Sequence, residues 1–485
     1  MSTSPDPVPP NLVPLCVDLD GTLLKTDTLH ELVILLAARA PGRLFALPGW
    51  LAAGKAGMKH RIAEHVALDP ASLPYRPEVL ALIEQARAEG RPVILATAAS
   101  ARVAEPIAAH LGLFDAVMAS DGTVNLSARS KADALVERYG ERGFDYVGNH
   151  RDDLPILARA NRGTLVSSRR SLRGAASRQH DAVDFVDDQT GGLRAWVKAL
   201  RVHQWLKNLL VFVPLATGHD IGDPALLGNA ILAFIAFSLC ASSVYLLNDL
   251  LDLRSDRLHA TKRRRPFASG ALPVAAGVVV APLLLLAAAA LTLFLPPAFA
   301  LVLGLYFVLT TAYSFWLKAK VVVDVMLLAG LYTVRMIAGS AATGIAPSFW
   351  LLALSMFIFL SLALVKRYSE LRQLDSDKAL AGRGYLPSDL PVLLALGSSS
   401  GMVSVLIMAM YTQAEIVASL YPAREWLWAA PPLLLYWVTR LWMKANRGEV
   451  DDDPVVFAAR DWQSLLVAAL TGAAFLLAAT GVRFW

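Results

Sequence analysis

The sequence predicts a two-domain protein: an N-terminal α/β domain on a parallel, Rossmann-like sheet with a small helical cap, then an all-α polytopic membrane bundle. Three observations carry this. Apolar residues make up 55% of the 485 and charged residues 18%, an apolar excess over ordinary soluble domains. The excess is confined to residues 193–485, where long apolar runs recur, while residues 1–192 carry dispersed charge. In that first part short strand-like runs alternate with helical patterns, the mark of a parallel sheet.

The strand-like runs are Leu12 to Val17, Pro92 to Ala96, Ala116 to Ala119 and Phe144 to Val147. Helical patterns at Pro77–Glu89 and Lys131–Tyr139 separate them. Residues 28–75 hold helix-like pieces and no clear strand, so they are expected to form an inserted cap. Residues 187–192 look like a linker, dividing a domain at 1–190 from one at 193–485. The two cysteines, Cys16 and Cys240, fall one in each part. A disulfide framework is excluded, which fits a reducing cytosol. The opening MSTSPDPVPP has neither a basic nor an apolar signal region, so no signal peptide is expected.

In the second part apolar runs fall near 205–217, 225–247, 272–294, 297–316, 321–341, 348–365, 391–411, 427–443 and 462–482. A bilayer needs about 20 residues per helix. Nine spans are expected, with 205–217 and 427–443 the short ones. Loops carrying Lys262 to Arg265, Lys318 with Lys320, Lys366 with Arg367, and Lys444 with Arg447 follow even-numbered spans; the alternate loops are nearly free of Lys and Arg. The positive-inside rule then puts the basic loops, and with them the N-terminal domain, on the cytoplasmic side of a bacterial inner membrane. The net charge of +5 sits mostly in these loops. It points to topology and phosphate handling, and nucleic acid is not an expected partner. Self-association into a homo-oligomer stays open.

The second span ends in YLLNDLLDLRSD, which contains Asn248, Asp249, Asp252 and Asp256. Steps of three and four residues stack these acids along one helix face. Ionised groups at the end of a membrane helix need water, a partner or a cation. Oxygen-only ligands suit Mg²⁺, commonly shared between a few carboxylates and substrate phosphates. Arg257, His259, Lys262, Arg263, Arg264 and Arg265 follow at once, donors suited to diphosphate oxygens. The bland reading is a charge-balanced loop at a helix end.

NDLLDLRSD followed by KRRRPFASG resembles the first Asp-rich motif of the UbiA superfamily of intramembrane prenyltransferases, and the resemblance covers essentially all of 193–485. It implies a nine-helix bundle holding a Mg²⁺-diphosphate and a polyprenyl chain. By position, Asn248, Asp249, Asp252 and Asp256 would hold metal and diphosphate, Asp249 and Asp252 catalytically, with Lys262 and Arg265 on phosphate. Many aromatic prenyltransferases of the superfamily carry a second DxxxD motif after the fourth span. Here that stretch offers Asp324 but Leu328 four residues on, which puts a second metal site in doubt. With RVHQWLKN, VRMIAGSAATG and LVKRYSEL, the pattern is closer to the decaprenyl-phosphate phosphoribosyltransferase branch. That branch implies phosphoribosyl pyrophosphate (PRPP) as the diphosphate substrate and a polyprenyl phosphate as acceptor. Lys207, Lys318, Arg335, Lys366 and Arg367 are available for the acceptor phosphate, each also readable as a snorkelling anchor.

In the first part, VPLCVDLDGTLL is an apolar run ending in two carboxylates, Asp18 and Asp20. A carboxylate at a strand end can attack a phosphoryl group, and another two residues on faces the same side. This resembles the first motif of haloacid-dehalogenase (HAD) phosphotransferases, over roughly 11–185. By position Asp18 would be the nucleophile and Asp20 the general acid/base. Thr97 would match the phosphate-binding second motif and Lys131 the third-motif lysine. The fourth motif, usually GDxxxD, reads GNHRDD. Asn149 thus replaces an acid, with Asp153 further on, and Mg²⁺ held by Asp18, Asp20, Asn149 and Asp153 would bind more weakly. Together the resemblances imply a transferase forming polyprenyl-phosphoryl-5-phosphoribose and a phosphatase removing its 5-phosphate. Two other expectations stand beside this: an aromatic prenyltransferase, and a non-catalytic lipid-binding protein with a regulatory HAD domain.

Overall fold

The computed structural model describes residues 12–52, 54–121, 125–188, 191–373, 383–450 and 453–482. The chain forms two compact units. The first comprises residues 1–200 together with 245–282, the second 201–244 together with 283–485.

The first unit is organised by a six-stranded sheet in the order β3-β2-β1-β4-β5-β6. Its strands are β1 (Leu15–Val17), β2 (Val93–Ser100), β3 (Ala116–Ser120), β4 (Asp145–Gly148), β5 (Gly163–Val166) and β6 (Val183–Val186), all paired in parallel. Leu15, Cys16 and Val17 are all buried, as expected for a central parallel strand covered on both faces. The strands expected from sequence are β1 to β4; β5 and β6 extend the sheet beyond them. After β1 comes α1 (Thr28–Arg39), started by Asp27, whose carboxylate accepts from the Leu29 and His30 amides, a cap that satisfies two orphan donors. With α2 (Lys55–His65) and short turns it makes the helical insertion. The longer helices that follow are α3 (Pro77–Ala88), α4 (Ala101–Leu111), α5 (Ala128–Tyr139) and α6 (Arg170–Gln179). Of the expected linker at 187–192, residues 189 and 190 lie outside the described residues; Gly191 donates to the Ala271 carbonyl at 2.9 Å.

Among the described residues seven helices are long and apolar enough to cross a membrane. These are α7 (Pro224–Leu251), α9 (Val274–Thr292), α10 (Pro297–Phe315), α11 (Val323–Thr343), α12 (Phe349–Arg372), α13 (Leu390–Tyr411, with its preceding turn from Pro387) and α16 (Trp462–Thr480). Between α7 and α9 lies the short α8 (Leu253–Leu258). Two of the nine expected spans, the short ones, are not formed as single long helices among the described residues. Residues 205–217 are broken into a 3₁₀ stretch (Val202–Phe212) and five α-helical residues. Residues 427–443 become a 3₁₀ turn and α14 (Ala430–Arg447), whose 18 residues include Arg440, Lys444 and Arg447. The helix α15 (Pro454–Arg460) precedes α16.

Lipid is as apolar as leucine, so packing in such a bundle depends on small residues that let helices approach. Leu286, Leu301, Val308 and Leu476 stay exposed, as lipid-facing side chains would. Within the second unit Gly397 of α13 meets α12 and α14: the Ser361 hydroxyl donates to its carbonyl at 2.8 Å, and the Trp442 indole donates to that hydroxyl at 3.0 Å. A Cβ at Gly397 would lie 2.1 Å from the Trp442 ring. Gly397→Ala is therefore expected to destabilise the bundle by about 1–3 kcal/mol, read as a lower thermal transition of the full-length protein in detergent.

Candidate active sites

The first site lies at the carboxyl end of β1. Asp18 is buried, and Lys131, from the first turn of α5, donates to its Oδ1 at 2.8 Å. The same ammonium is 3.5 Å from Asp153 Oδ1. Burial alone would depress the Lys131 pKa, but the two carboxylates together hold it above the ordinary lysine value. Burial pushes the Asp18 carboxyl up to about 6, against the pull of Lys131. Asp20 reaches about 7, raised by burial and then by the negative charge of Asp27. Its Oδ1 accepts from the Thr28 amide at 2.7 Å, tying it to the start of α1. A carboxyl titrating near neutrality can give and take a proton.

Gly21 makes the turn between the two motifs possible. Its φ is +74°, and a Cβ there would lie 2.1 Å from the Asn149 side chain. The Thr22 hydroxyl is 3.2 Å from both Asp18 Oδ2 and Asn149 Oδ1. Asp153 has its oxygens committed: Oδ2 accepts from the Asn149 and His150 amides at 2.9 Å, and Oδ1 from the Tyr146 hydroxyl at 2.8 Å. It pins the loop that presents Asn149. Mg²⁺ tolerates few protein ligands, and the Asp18 carboxylate with the Asn149 carbonyl oxygen and the neighbouring Asp20 segment fits such a site. The Thr97 hydroxyl is buried and accepts from the Ala99 amide at 3.0 Å. The cavity itself, about 710 Å³, is lined by Ala98 to Ser100 at that strand end, together with Asp18, Asp20 and Lys131.

Sequence reasoning did not reach three other residues here. Lys59 of α2 lines the cavity and donates to the Ala98 carbonyl at 2.7 Å; burial lowers its pKa. Arg76 donates to the Thr22 carbonyl at 3.2 Å and the Gly21 carbonyl at 3.3 Å, clamping the turn. The Ser100 hydroxyl is buried without a hydrogen-bond partner among the described residues. These partners lie tens of residues away in sequence, so no local pattern signals them.

The second site is the acidic motif after α7. The helix breaks at Asp252, yet its hydrogen bonding continues: the Asp252 amide donates to the Asn248 carbonyl at 2.9 Å and the Asp256 amide to the Asp252 carbonyl at 2.8 Å. The acids thereby keep helical spacing. One Arg265 nitrogen donates to Asp249 Oδ1 at 3.0 Å and to Asp256 Oδ2 at 2.7 Å, so a cationic group already sits between two buried carboxylates. Burial raises the Asp256 pKa against the pull of Arg265. Asn248 and Asp252 are half-buried and Lys262 is exposed. Arg257 turns to Glu31 of α1, with nitrogen–oxygen distances of 2.5 and 2.8 Å. No three His, Cys, Asp or Glu side chains converge among the described residues. Two converging carboxylates are nevertheless what Mg²⁺ asks of protein when a diphosphate supplies the rest.

The second unit holds the remaining cations. Lys207 pairs with Asp453, which also caps α15 by accepting from the Val455 and Val456 amides. Lys366 of α12, half-buried, lies in the field of Lys207 and Asp453. Arg335 of α11 is buried and bonded to Asn208 Oδ1 at 2.8 Å, the Tyr306 hydroxyl at 3.2 Å and the Leu331 carbonyl. The rings of Phe237, Tyr306 and Tyr332 lie 5.1–5.6 Å from its guanidinium. Tyr332 is also 5.8 Å from Lys207. Lys318 is half-buried near the end of α10. Arg367, fully buried, donates to Asp324 Oδ2 at 2.5 Å, to Glu370, and to the Tyr313 hydroxyl at 3.1 Å. Tyr385 donates to Asp324 Oδ1 at 2.5 Å. Asp324, where a second acidic motif would begin, has both oxygens occupied.

A bundle of membrane-length helices carrying a basic-flanked acidic motif, in one chain with a parallel α/β sheet ending in an Asp–Lys centre, defines a class: intramembrane prenyltransferases with a hydrolase-like domain. The profile of the UbiA prenyltransferase family matches residues 210–465, and that of haloacid dehalogenase-like hydrolases matches 15–158. The chain belongs to the UbiA prenyltransferase family. It is 38% identical over 473 residues to an uncharacterized protein of Sinorhizobium fredii, covering 96% of this chain and 91% of that one. It is 41% identical over 179 residues to decaprenyl-phosphate phosphoribosyltransferase of Mycobacterium tuberculosis, covering 36% of this chain and 59% of that protein. A solved structure of a UbiA homolog from Archaeoglobus fulgidus bound to GPP and Mg²⁺ covers 58% of this chain and 99% of its own, at 19% identity and a TM-score of 0.47.

Lys131 is the only cation bonded to both Asp18 and Asp153 among the described residues. Lys131→Met leaves two buried carboxylates facing each other. We expect a loss of about 3–5 kcal/mol, measured by denaturant unfolding of the α/β unit followed through its fluorescence in the full-length protein.

Proposed function

We propose that the membrane part, residues 193–485, transfers 5-phosphoribosyl from PRPP to a polyprenyl phosphate, and that the hydrolase part, residues 1–190, removes the 5-phosphate of the product. The observation that carries this reading is an asymmetry of charge. Among the described residues, the acidic cluster placed to hold a metal-diphosphate is the motif at 249–256, since Asp324 is consumed by Arg367 and Tyr385. Against it stand Lys207, Lys366 and Arg335, with Asp453 and Glu370 as the carboxylates acting on them among the described residues. One metal-diphosphate and one anionic acceptor match that inventory better than a prenyl diphosphate and a neutral aromatic. The likeness to decaprenyl-phosphate phosphoribosyltransferase supports it. In this reading both sites face the cytoplasmic side of a bacterial inner membrane, which the loop charges support.

Mg²⁺, when bound, would neutralise charge on the diphosphate. Asp249, Asp252 and Asp256 would hold it with Asn248, and Arg265 and Lys262 would take diphosphate oxygens as charge builds on the leaving group. Lys207, Lys366 and Arg335 would orient the acceptor phosphate. One of its oxygens forms the new bond to the anomeric carbon of ribose as the carbon–oxygen bond to diphosphate breaks, its electron pair leaving with the diphosphate. The acceptor is already ionised, so no base is needed. In the hydrolase part the Asp18 carboxylate attacks phosphorus while Asp20 protonates the departing sugar oxygen. Asp20 then takes a proton from the water that cleaves the aspartyl phosphate.

Purified protein given Mg²⁺, PRPP and a polyprenyl phosphate should release diphosphate only when both substrates are present. Asp249→Ala should reduce that rate by about a hundredfold or more. Lys207→Met should raise KM for the lipid about tenfold, the worth of one charge-assisted hydrogen bond. Asp18→Asn should stop phosphate release and leave a phosphorylated lipid product. Product formation from a prenyl diphosphate and an aromatic acceptor, with none from PRPP, would replace this reading.

A further inference from the structure

The first unit contains an ion pair that neither proposed reaction uses. Glu31 lies in the first turn of α1, inside the hydrolase-like match and outside the transferase match. Its two carboxylate oxygens accept from the two terminal nitrogens of Arg257 at 2.5 and 2.8 Å, and the side chains are only 5% and 6% exposed. The third donor of Arg257, Nε, reaches the Ala268 carbonyl at 3.0 Å. A buried pair of this kind adds little stability over an apolar pair of the same size; what it supplies is fixed geometry.

The geometry it fixes is that of the acidic motif. Arg257 follows Asp256 directly, and Ala268 lies three residues after Arg265. Clamping Arg257 between Glu31 and the Ala268 carbonyl therefore sets the last turn of the motif against the segment carrying Arg265, the residue that joins Asp256 to Asp249. A second, more exposed bond repeats the pattern: Arg254 donates to Asp69 at 2.9 Å.

We propose that Glu31 is a positioning residue for the transferase motif, supplied by the hydrolase part: through Arg257 it keeps Asp249 and Asp256 converging where metal and diphosphate are held. This rests on reading the acidic motif as the metal-diphosphate site. Outer partners that orient first ligands commonly change metal affinity about tenfold or more when removed, and the acids themselves stay chemically unaltered.

The test uses the full-length protein in detergent, with Mn²⁺ as the metal probe followed by loss of its free-ion EPR signal, and diphosphate release as the kinetic readout. Glu31→Gln keeps shape and removes the charge. It should weaken Mn²⁺ binding in the presence of PRPP about tenfold and raise KM for PRPP comparably, with kcat within about twofold. Glu31→Asp should fall between it and wild type. Should Glu31→Gln not fold, the paired variant Glu31→Met with Arg257→Met leaves no lone buried charge and must show the same split. Wild-type values in Glu31→Gln, or a fallen kcat at unchanged KM and Mn²⁺ affinity, would overturn the positioning role. A wild type that binds no Mn²⁺ and releases no diphosphate would instead overturn the reading of the motif.

Discussion

In a chain this apolar, an ionised group taken out of water needs an opposite charge or a full set of polar partners within a few ångströms, and the arrangement of such contacts organises both halves of the structure. Lys131 between Asp18 and Asp153, Arg265 between Asp249 and Asp256, and Arg367 on Asp324 obey the same rule. A lone buried charge would cost several kcal/mol, so each group is held by design of its neighbours. The difference between the centres lies in what is left over. Around Asp18 and the acidic motif, carboxylates converge in pairs on a side-chain cation. Around Lys207, Lys366 and Arg335 the described residues set three cations against Asp453 and Glu370.

These leftovers separate chemical roles within one polypeptide. In the sheet-centred site Asp18 faces Lys131 while Asp20 faces a helix start and the charge of Asp27, so two carboxyls two residues apart sit in different surroundings, both pushed up by burial. The turn that allows this depends on Gly21 meeting Asn149 and on Arg76 clamping the turn's carbonyls. In the bundle, Arg335 is satisfied by an amide, a phenol, a carbonyl and three aromatic faces, with no carboxylate among the described residues bonded to it. Its charge is tolerated and not cancelled.

Features with a short-range signature were legible in the sequence. The acids from Asp249 to Asp256 announce their common face because helical spacing is local, and the Asp18–Asp20 pair announces a strand end. The seven strong spans follow from run length alone. What stayed hidden depends on distance along the chain. β5 and β6 are four-residue strands without alternation, made into strands by pairing with β4 and each other. Residues 205–217 look like a span until polar Asn208 and Lys207 find partners at Ser238 and Asp453 and the segment bends into 3₁₀ turns. The commitments of Asp153, Lys59, Arg76 and Glu31 could not be read at all, since their partners come from elsewhere in the fold.

The sealing of Asp324 also bears on how such a bundle could change its chemistry. Restoring an acid at Leu328 would complete the spacing of a second DxxxD but not its function, because the first carboxylate is already claimed by Arg367 and Tyr385. Freeing it would take from the fully buried Arg367 guanidinium one of its two carboxylate partners, Glu370 being the other. Opening Asp324 to a ligand would therefore take changes on α11, on α12 and at Tyr385 together, so no single substitution frees it.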